Sequence, residues 1–279
     1  MKNSKKFISE MLQQNHGIDV LKYERAFFEK NIEKRISETQ CDTKDAYCSL
    51  LRQNPVELEK LIECFTVSYS EFFRNPLTFS VLEKIVLPSL VMNKRMLKSK
   101  GIRIWSSACA AGQETYSVAM LLHESLPNAN EAINYRIFAT DFSYEQILLA
   151  QTGEYAEAAL NNINLCRLNQ WFEKQGNVYA ISEVLKQNID FSVFDLFDPN
   201  FSCPPASIFG NFDIVFCANL LFYYSAEFRA SIIEKVNNSL ADNGLLITSE
   251  TEREMLIQSG FKEVYPQSAI FMKNYQLHH

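Results

Sequence analysis

The sequence predicts an α/β protein. An all-α domain, residues 1–76, precedes a larger domain, residues 77–279, built on a seven-stranded, mostly parallel sheet. Three observations lead there. Apolar residues recur three or four apart over the first hundred residues, short β-rich runs alternate with longer helical ones from Gly101 onward, and that alternation breaks once, between Glu154 and Asn188. Charge divides at the same junction: residues 1–100 carry 17 Lys/Arg against 13 Asp/Glu, whereas residues 101–279 carry 10 against 20.

In the N-terminal part, KKFISEMLQQN, LKYERAFFEKNIEKRISET, DAYCSLLRQ and PVELEKLIECF read as helices. In the second, the spacing turns Ala26, Phe27, Ile32 and Ile36 inward and gathers Lys30, Lys34 and Arg35 on a different, basic face. A further helical stretch from Thr78 to Lys98 runs into the polar junction KRMLKSKG. Beyond it, IRIW, NYRIFATD, IDFSVFDL, FDIVFCAN and LLITSE read as strands, and FKEVY and AIFMK as a terminal pair. Helices fall at TYSVAMLLHESL, YEQILLAQTG and about Ala226 to Leu240. The break at about residues 154–190 reads as a small antiparallel β insertion, with a helical piece ending near Trp171 and then the hairpin WFEKQGNVYAI, its turn at Lys174 to Asn177.

Composition narrows the function. With 47% hydrophobic and 22% charged residues the chain is ordinary globular protein, and no apolar run approaches the roughly 18 residues of a membrane span. The N-terminus lacks the apolar segment of a secretory signal, so a cytoplasmic location is expected and no direct membrane insertion. A net charge of −6 argues against a nucleic-acid groove, which leans on clustered Lys/Arg. Seven cysteines contain no C-x-x-C and no histidine at ligand spacing, so no metal is expected. Four histidines, two of them the last residues, leave little material for histidine chemistry.

A parallel sheet binds its ligand outside the carboxyl ends of its strands. After the first strand comes SSACAAGQETYS, small residues followed by Glu114 near a helix start; Ala108 stands where a glycine is usual, so this is not G-x-G-x-x-G. After the second strand, Asp141 is placed either to accept from two ribose hydroxyls or to cap the next helix. Asp195 and Leu196 follow the third strand and Asn219 the fourth, and each polar one reads equally as a cap or turn residue taken alone. Together they suit a nucleoside with an amino-acid tail: Glu114 for an ammonium, Asp141 for ribose, Asp195 for an adenine amino group. No G-x-x-x-x-G-K-S/T is present, which points toward S-adenosylmethionine rather than a nucleotide phosphate.

Four ordered segments carry a family resemblance. SYSEFFRNP is similar to T-x-F-F-R-(D/N)-P, WSSACAAGQETYSVAMLL to W-S-A-G-C-S-T-G-E-E-P-Y-S, ATDFSYEQILLAQTGEY to T-D-(I/F)-x…A…G-x-Y, and FDIVFCANLLFYYS to F-D-x-I-x-C-R-N-V-x-(I/L)-Y-F. Over nearly its whole length the chain resembles CheR-type chemotaxis receptor methyltransferases. The resemblance implies a Rossmann-like S-adenosylmethionine methyltransferase fold, with S-adenosylhomocysteine as product and methyl esters formed on glutamate carboxylates of chemoreceptors. It implies cofactor contacts at Ser68, Ser70, Arg74, Ala108, Glu114, Asp141, Asp195, Leu196, Ala218 and Asn219, with Arg74 and Tyr223 flanking the reacting carboxylate.

The chain also departs from the pattern. Gln113 replaces the first acidic residue of G-E-E, Ala218 replaces the arginine of C-R-N and so removes a bidentate carboxylate partner, and ITSE lacks the usual histidine before S-E. Two competing readings are an S-adenosylmethionine-dependent methyltransferase with another acceptor and a non-catalytic cofactor-binding signalling module. Against an amino methyltransferase, Cys217-Ala218-Asn219-Leu220 stands where N/D-P-P-Y/F would be usual. The expected partners are cytoplasmic receptor helices, met by the basic face at Lys30, Lys34 and Arg35. The short hairpin turn predicts weak or no capture of a receptor C-terminal peptide.

Overall fold

A computed structural model describes residues 2–16, 18–65, 69–99, 101–126 and 133–273. The chain divides into two compact units, one of residues 1–67 with 221–230, the other of residues 68–220 with 231–279.

The first unit contains α1 (Lys2–His16), α2 (Arg25–Glu38), α3 (Lys44–Gln53) and α4 (Pro55–Glu63). Local chemistry sets the helix starts. The Thr43 hydroxyl accepts from the Ala46 N–H, and Asn54 accepts from the Glu57 N–H with Pro55 at the first helical position. Ile8, Leu12, Phe28, Ile32, Tyr47, Leu51, Leu61 and Phe65 form the core.

The inward face of α2 differs from the sequence expectation. Phe28, Ile32 and Arg35 are buried, Phe27 and Ile36 are half-buried, and Ala26 is exposed. Arg35 therefore leaves the expected basic surface. It falls seven residues after Phe28, on the same helical stripe, where Nε donates to Glu57 Oε1 at 2.9 Å and NH2 pairs with the other carboxylate oxygen. The Tyr47 hydroxyl donates to Glu57 Oε1 at 2.9 Å, completing a buried ion pair that spacing alone assigned to solvent. Lys30 and Lys34 stay exposed.

Residues 221–230 complete this unit. A short 3-10 turn, Leu221–Tyr223, leads to an isolated antiparallel bridge between Tyr23 and Tyr224. Glu24 N–H donates to the Tyr223 carbonyl at 2.8 Å, Ser225 N–H donates to that of Lys22 at 2.8 Å, and the Tyr223 ring lies 4.8 Å from Phe27.

In the second unit, Phe72 and Phe73 belong to the main core, so the described part of SYSEFFRNP groups with the sheet rather than with the helices before it. A continuous helical stretch follows: α5 (Pro76–Val81), a π turn (Leu82–Val86) and α6 (Leu87–Met96). Pro88 supplies the cause of the widened turn, because it has no N–H to give and its ring crowds the carbonyl four residues back.

The sheet strands are β1 (Gly101–Ser106), β2 (Asn134–Asp141), β6 (Ile189–Val193), β7 (Phe212–Phe216), β8 (Leu240–Ile247), β9 (Phe261–Glu263) and β10 (Ile270–Lys273). They lie in the order β6-β2-β1-β7-β8-β10-β9. Only β10 runs antiparallel to its neighbours, β8 and β9. Seven strands, mostly parallel, agree with the sequence expectation.

Ile104 pairs in register with Ile137 on one side and Ile214 on the other. On one face these chains pack with Val118, Leu121 and Leu122 of α7 (Gln113–Ser125). On the other face Trp105 meets Phe194 and Phe212 at 5.8 and 5.6 Å. The helices α8 (Tyr144–Thr152) and α11 (Ala226–Ser239) connect further strands.

The insertion is a three-stranded antiparallel sheet, β3-β5-β4, from β3 (Glu154–Ala156), β4 (Phe172–Gln175) and β5 (Val178–Ile181). Its hairpin turn is shorter than expected, Gly176-Asn177, with Gly176 at φ 62°. Helix α9 (Leu165–Trp171) precedes β4, and α10 (Glu183–Lys186) leads back to β6.

The Arg35–Glu57 pair makes a direct prediction for stability. Glu57→Ala takes from Arg35 its buried partner and leaves it only the more exposed Glu38, so it is expected to cost about 3 kcal/mol in urea denaturation, whereas Arg35→Met with Glu57→Leu is expected to lose much less.

Candidate active site

The sheet order reverses at β1: the chain moves outward through β2 and β6, then returns to β7 on the other side. Such a switch opens a crevice at the carboxyl ends of the two strands. The loop leaving β1 is tied to both neighbours there. Ser107 donates from its N–H and its hydroxyl to the Phe216 carbonyl at 2.9 and 2.8 Å, while Cys109 N–H donates to Thr140 O at 2.9 Å. The Tyr155 hydroxyl donates to Ala111 O at 2.7 Å. Gly112 then turns the chain into α7 at φ 89°, where a Cβ would come within 3.0 Å of the Ala150 Cβ. Ala108, Ala110 and Ala111 bring no long side chain to this loop.

Asp141 is half-buried at the end of β2. One carboxylate oxygen accepts from Ala110 N–H and the other from Ser143 N–H, both at 2.9 Å. The cap of α8 is Ser143, which accepts from Gln146 N–H, so the capping alternative for Asp141 does not hold. Burial pushes its carboxyl up, opposed by the backbone N–H groups of Ser143, Ala110 and Phe142.

Glu114, in the first turn of α7, accepts from the Ser106 hydroxyl at 2.7 Å. Burial pushes its carboxyl up to about 7; the Ser106 bond opposes this, the charge of Glu252 adds to it and that of Arg74 opposes it. Beside it, Gln113 Oε1 is buried without a hydrogen-bond partner among the described residues. The thiols of Cys109 and Cys217 are pushed upward, mainly by burial, and stay neutral.

Asp195 accepts from Phe197 N–H at 2.8 Å, and Leu196 is buried. Ala218 and Asn219 are half-buried beyond β7, with Asn219 left-handed at φ 61°. Arg74 NH1 donates to the Tyr69 carbonyl at 3.1 Å, and its guanidinium lies 5.2 Å from the Tyr69 ring centre. Ser70 is half-buried in the same segment, and Ser68 lies outside the described residues. Tyr223 belongs to the first unit, against Phe27.

One organising residue escaped the sequence reading. Glu252 is fully buried, and one of its oxygens accepts from Asn219 N–H, Thr248 Oγ1, Ser249 N–H and Ser249 Oγ, while the other accepts from Leu220 N–H. The S-x-x-E spacing of Ser249 and Glu252 is a capping-box signal and is present in the sequence. Among the described residues, no group of three or more His, Cys, Asp or Glu is arranged to hold a metal.

A family model described as "CheR methyltransferase, SAM binding domain" matches residues 68–268, and one described as "CheR methyltransferase, all-alpha domain" matches residues 6–66. The chain belongs to the CheR methyltransferase family. It is 31% identical over 201 residues to Chemotaxis protein methyltransferase 1 of Pseudomonas aeruginosa, covering 70% of this chain and 69% of that one. It is 27% identical to a chemotaxis protein methyltransferase of Listeria monocytogenes over 88% of each chain. A 104.1 kDa protein of Rhodobacter capsulatus is 28% identical over 91% of this chain, which spans 26% of that longer protein. As a CheR methyltransferase the chain uses S-adenosylmethionine, and the site's chemistry fits it: a sunken carboxylate with a single side-chain donor at Glu114 suits an ammonium, and a partly accessible carboxylate at Asp141 suits a diol.

The raised carboxyl of Glu114 bears on stability. Its raised carboxyl holds a proton more tightly folded than unfolded, so its stabilising contribution is complete below the ordinary carboxylate range and is lost as pH rises through about 7. Without added cofactor, Glu114→Gln is expected to have a higher Tm than the parent chain at a pH of about 8 and nearly the same Tm at about 5, and it is expected to bind S-adenosylhomocysteine more weakly than the parent at about 8.

Proposed function

We propose that this CheR methyltransferase esterifies glutamate side chains on cytoplasmic helices of chemoreceptors. The carrying observation is the site's polar inventory. Arg74 offers a guanidinium suited to an anionic acceptor, the nearby thiols are neutral, and the second unit's described histidine, His123, packs against Tyr135 and Trp171, where burial pushes its pKa down. A carboxylate acceptor needs no base, because it is already ionised at neutral pH. An amine or alcohol acceptor requires a proton to be taken.

S-adenosylmethionine supplies an electrophilic methyl group on a cationic sulfur. Glu114 is assigned to the cofactor's ammonium, Asp141 to its ribose hydroxyls, and Asp195 with Leu196 to its adenine. Ser68, Ser70, Ala108, Ala218 and Asn219 are assigned to the remaining cofactor contacts. Arg74, and Tyr223 from the first unit, orient the accepting carboxylate by hydrogen bonds. Positioning is the main task for these side chains, since a carboxylate and a sulfonium neutralise one another as the bond forms.

For the receptor helix we assign the exposed Lys30 and Lys34 of α2, without Arg35, which Glu57 holds inside. Attraction of this kind weakens with salt, over a screening length of roughly 8 to 10 Å. The two-residue hairpin turn Gly176-Asn177 supports the reading that a receptor C-terminal peptide contributes little.

Labelled methyl transferred from S-adenosylmethionine to chemoreceptors is expected to be released as volatile methanol by mild alkali. Alkali-stable label would identify a different acceptor chemistry. Asp141→Ala is expected to weaken S-adenosylhomocysteine binding more than about tenfold by calorimetry, since two ribose hydroxyls lose their acceptor. Lys30→Glu with Lys34→Glu is expected to slow receptor methylation at low salt and leave S-adenosylhomocysteine affinity unchanged.

A further inference from the structure

The insertion makes a connection that the site assignments above do not use. From α9, Arg167 Nε donates to Glu124 of α7 at 3.0 and 3.2 Å, and its NH2 donates to the same carboxylate at 2.7 Å. That NH2 also lies 3.2 Å from Glu83 of the π turn. The guanidinium sits 4.6 Å from the centre of the Phe73 ring. Arg167 thus joins three elements and covers the residue immediately before Arg74.

Phe73 is held in an unusual conformation. Its φ is 49°, uncommon for a bulky residue, and its N–H donates to Ser117 Oγ at 3.1 Å. Ser117 is one helical turn from Glu114 on α7. Phe79 packs on Phe73 at 5.1 Å, while Phe72 plugs into the insertion against Tyr155 and Phe172 at 4.9 and 5.5 Å. Neither ring has freedom to slide, so the backbone that presents Arg74 is held from both sides.

We propose that Arg167 is a positioning residue: clamped by Glu124 and Glu83, it presses Phe73 into place and thereby fixes the backbone that presents the Arg74 guanidinium. The inference rests on the proposed binding roles of Arg74 and Glu114.

Glu114 reports the position of Arg74. The charged and titratable groups facing it are Arg74, which favours its ionised form, the carboxylate of Glu252, which disfavours it, and the neutral thiols of Cys109 and Cys217, with the Ser106 hydroxyl donating to it. If ionised Glu114 holds the ligand ammonium, affinity falls as pH drops through the Glu114 titration. Displacing Arg74 raises the midpoint of that fall.

The experiment is calorimetric titration of the full chain with S-adenosylhomocysteine across pH. Arg74→Met is expected to raise the midpoint, and Arg167→Met to raise it by about half a pH unit, which weakens binding about threefold on its acidic side. Arg167→Lys keeps a charge but not the planar fork, so an intermediate shift is expected. Phe73→Leu keeps an apolar plug without the ring and is expected to shift the midpoint in the same direction, which preserves the test should Arg167→Met fail to fold. Glu114→Gln, lacking the step, separates it from titration of Asp141.

A midpoint that moves in Arg74→Met but stays in folded Arg167 and Phe73 variants overturns the positioning role alone. A midpoint that moves in none of them overturns the placement of Arg74 and the inference with it.

Discussion

Everything at the catalytic edge depends on how the chain leaves β1. Ser107 is bound to β7 and Cys109 to β2, the two strands that part company at the switch point. A loop without such ties would be free to fill the crevice between them. With both sides held, small residues suffice to line it, and Ala108 needs no glycine-like freedom. The left-handed turn is displaced onto Ala110 and Gly112, and Asp141 stabilises it by accepting the Ala110 N–H.

Two carboxylates of the second unit meet burial in opposite ways. Glu252 collects donors from three backbone N–H groups and two hydroxyls, so its charge is met by fixed dipoles and it organises the turn after β7. Glu114 has a single side-chain donor and carries an unfavourable charge. A group satisfied by its own protein serves architecture, while one left short of partners fits the role proposed for Glu114 toward an ammonium.

The strands of the large sheet were legible because parallel strands covered on both faces read as near-continuous apolar runs, as IRIW and FDIVF do. Once their ends were located, the polar residues just beyond them marked the crevice. Arg35 was misplaced because helical periodicity sorts residues by type, while its partner Glu57 lies 22 positions away. The strand Glu154–Ala156 is three residues long, too short to show an alternation. The capping box of Glu252 is local, but its bonds to Asn219 and Leu220 cross 33 and 32 residues, a pairing no spacing rule anticipates. The bridge of Tyr23 to Tyr224 was hidden for the same reason.

That bridge has a bearing on how the chain is made. Residues 221–230 depart from the strand core and complete the helical unit built by the first 67 residues. During synthesis, the amino-terminal helices therefore emerge long before the segment that finishes them, and the sheet's first four strands are translated in the interval. Cutting the gene after residue 67 would not yield two self-sufficient pieces: one would lack its last packing element, and the other would carry ten residues whose apolar rings have lost their cover.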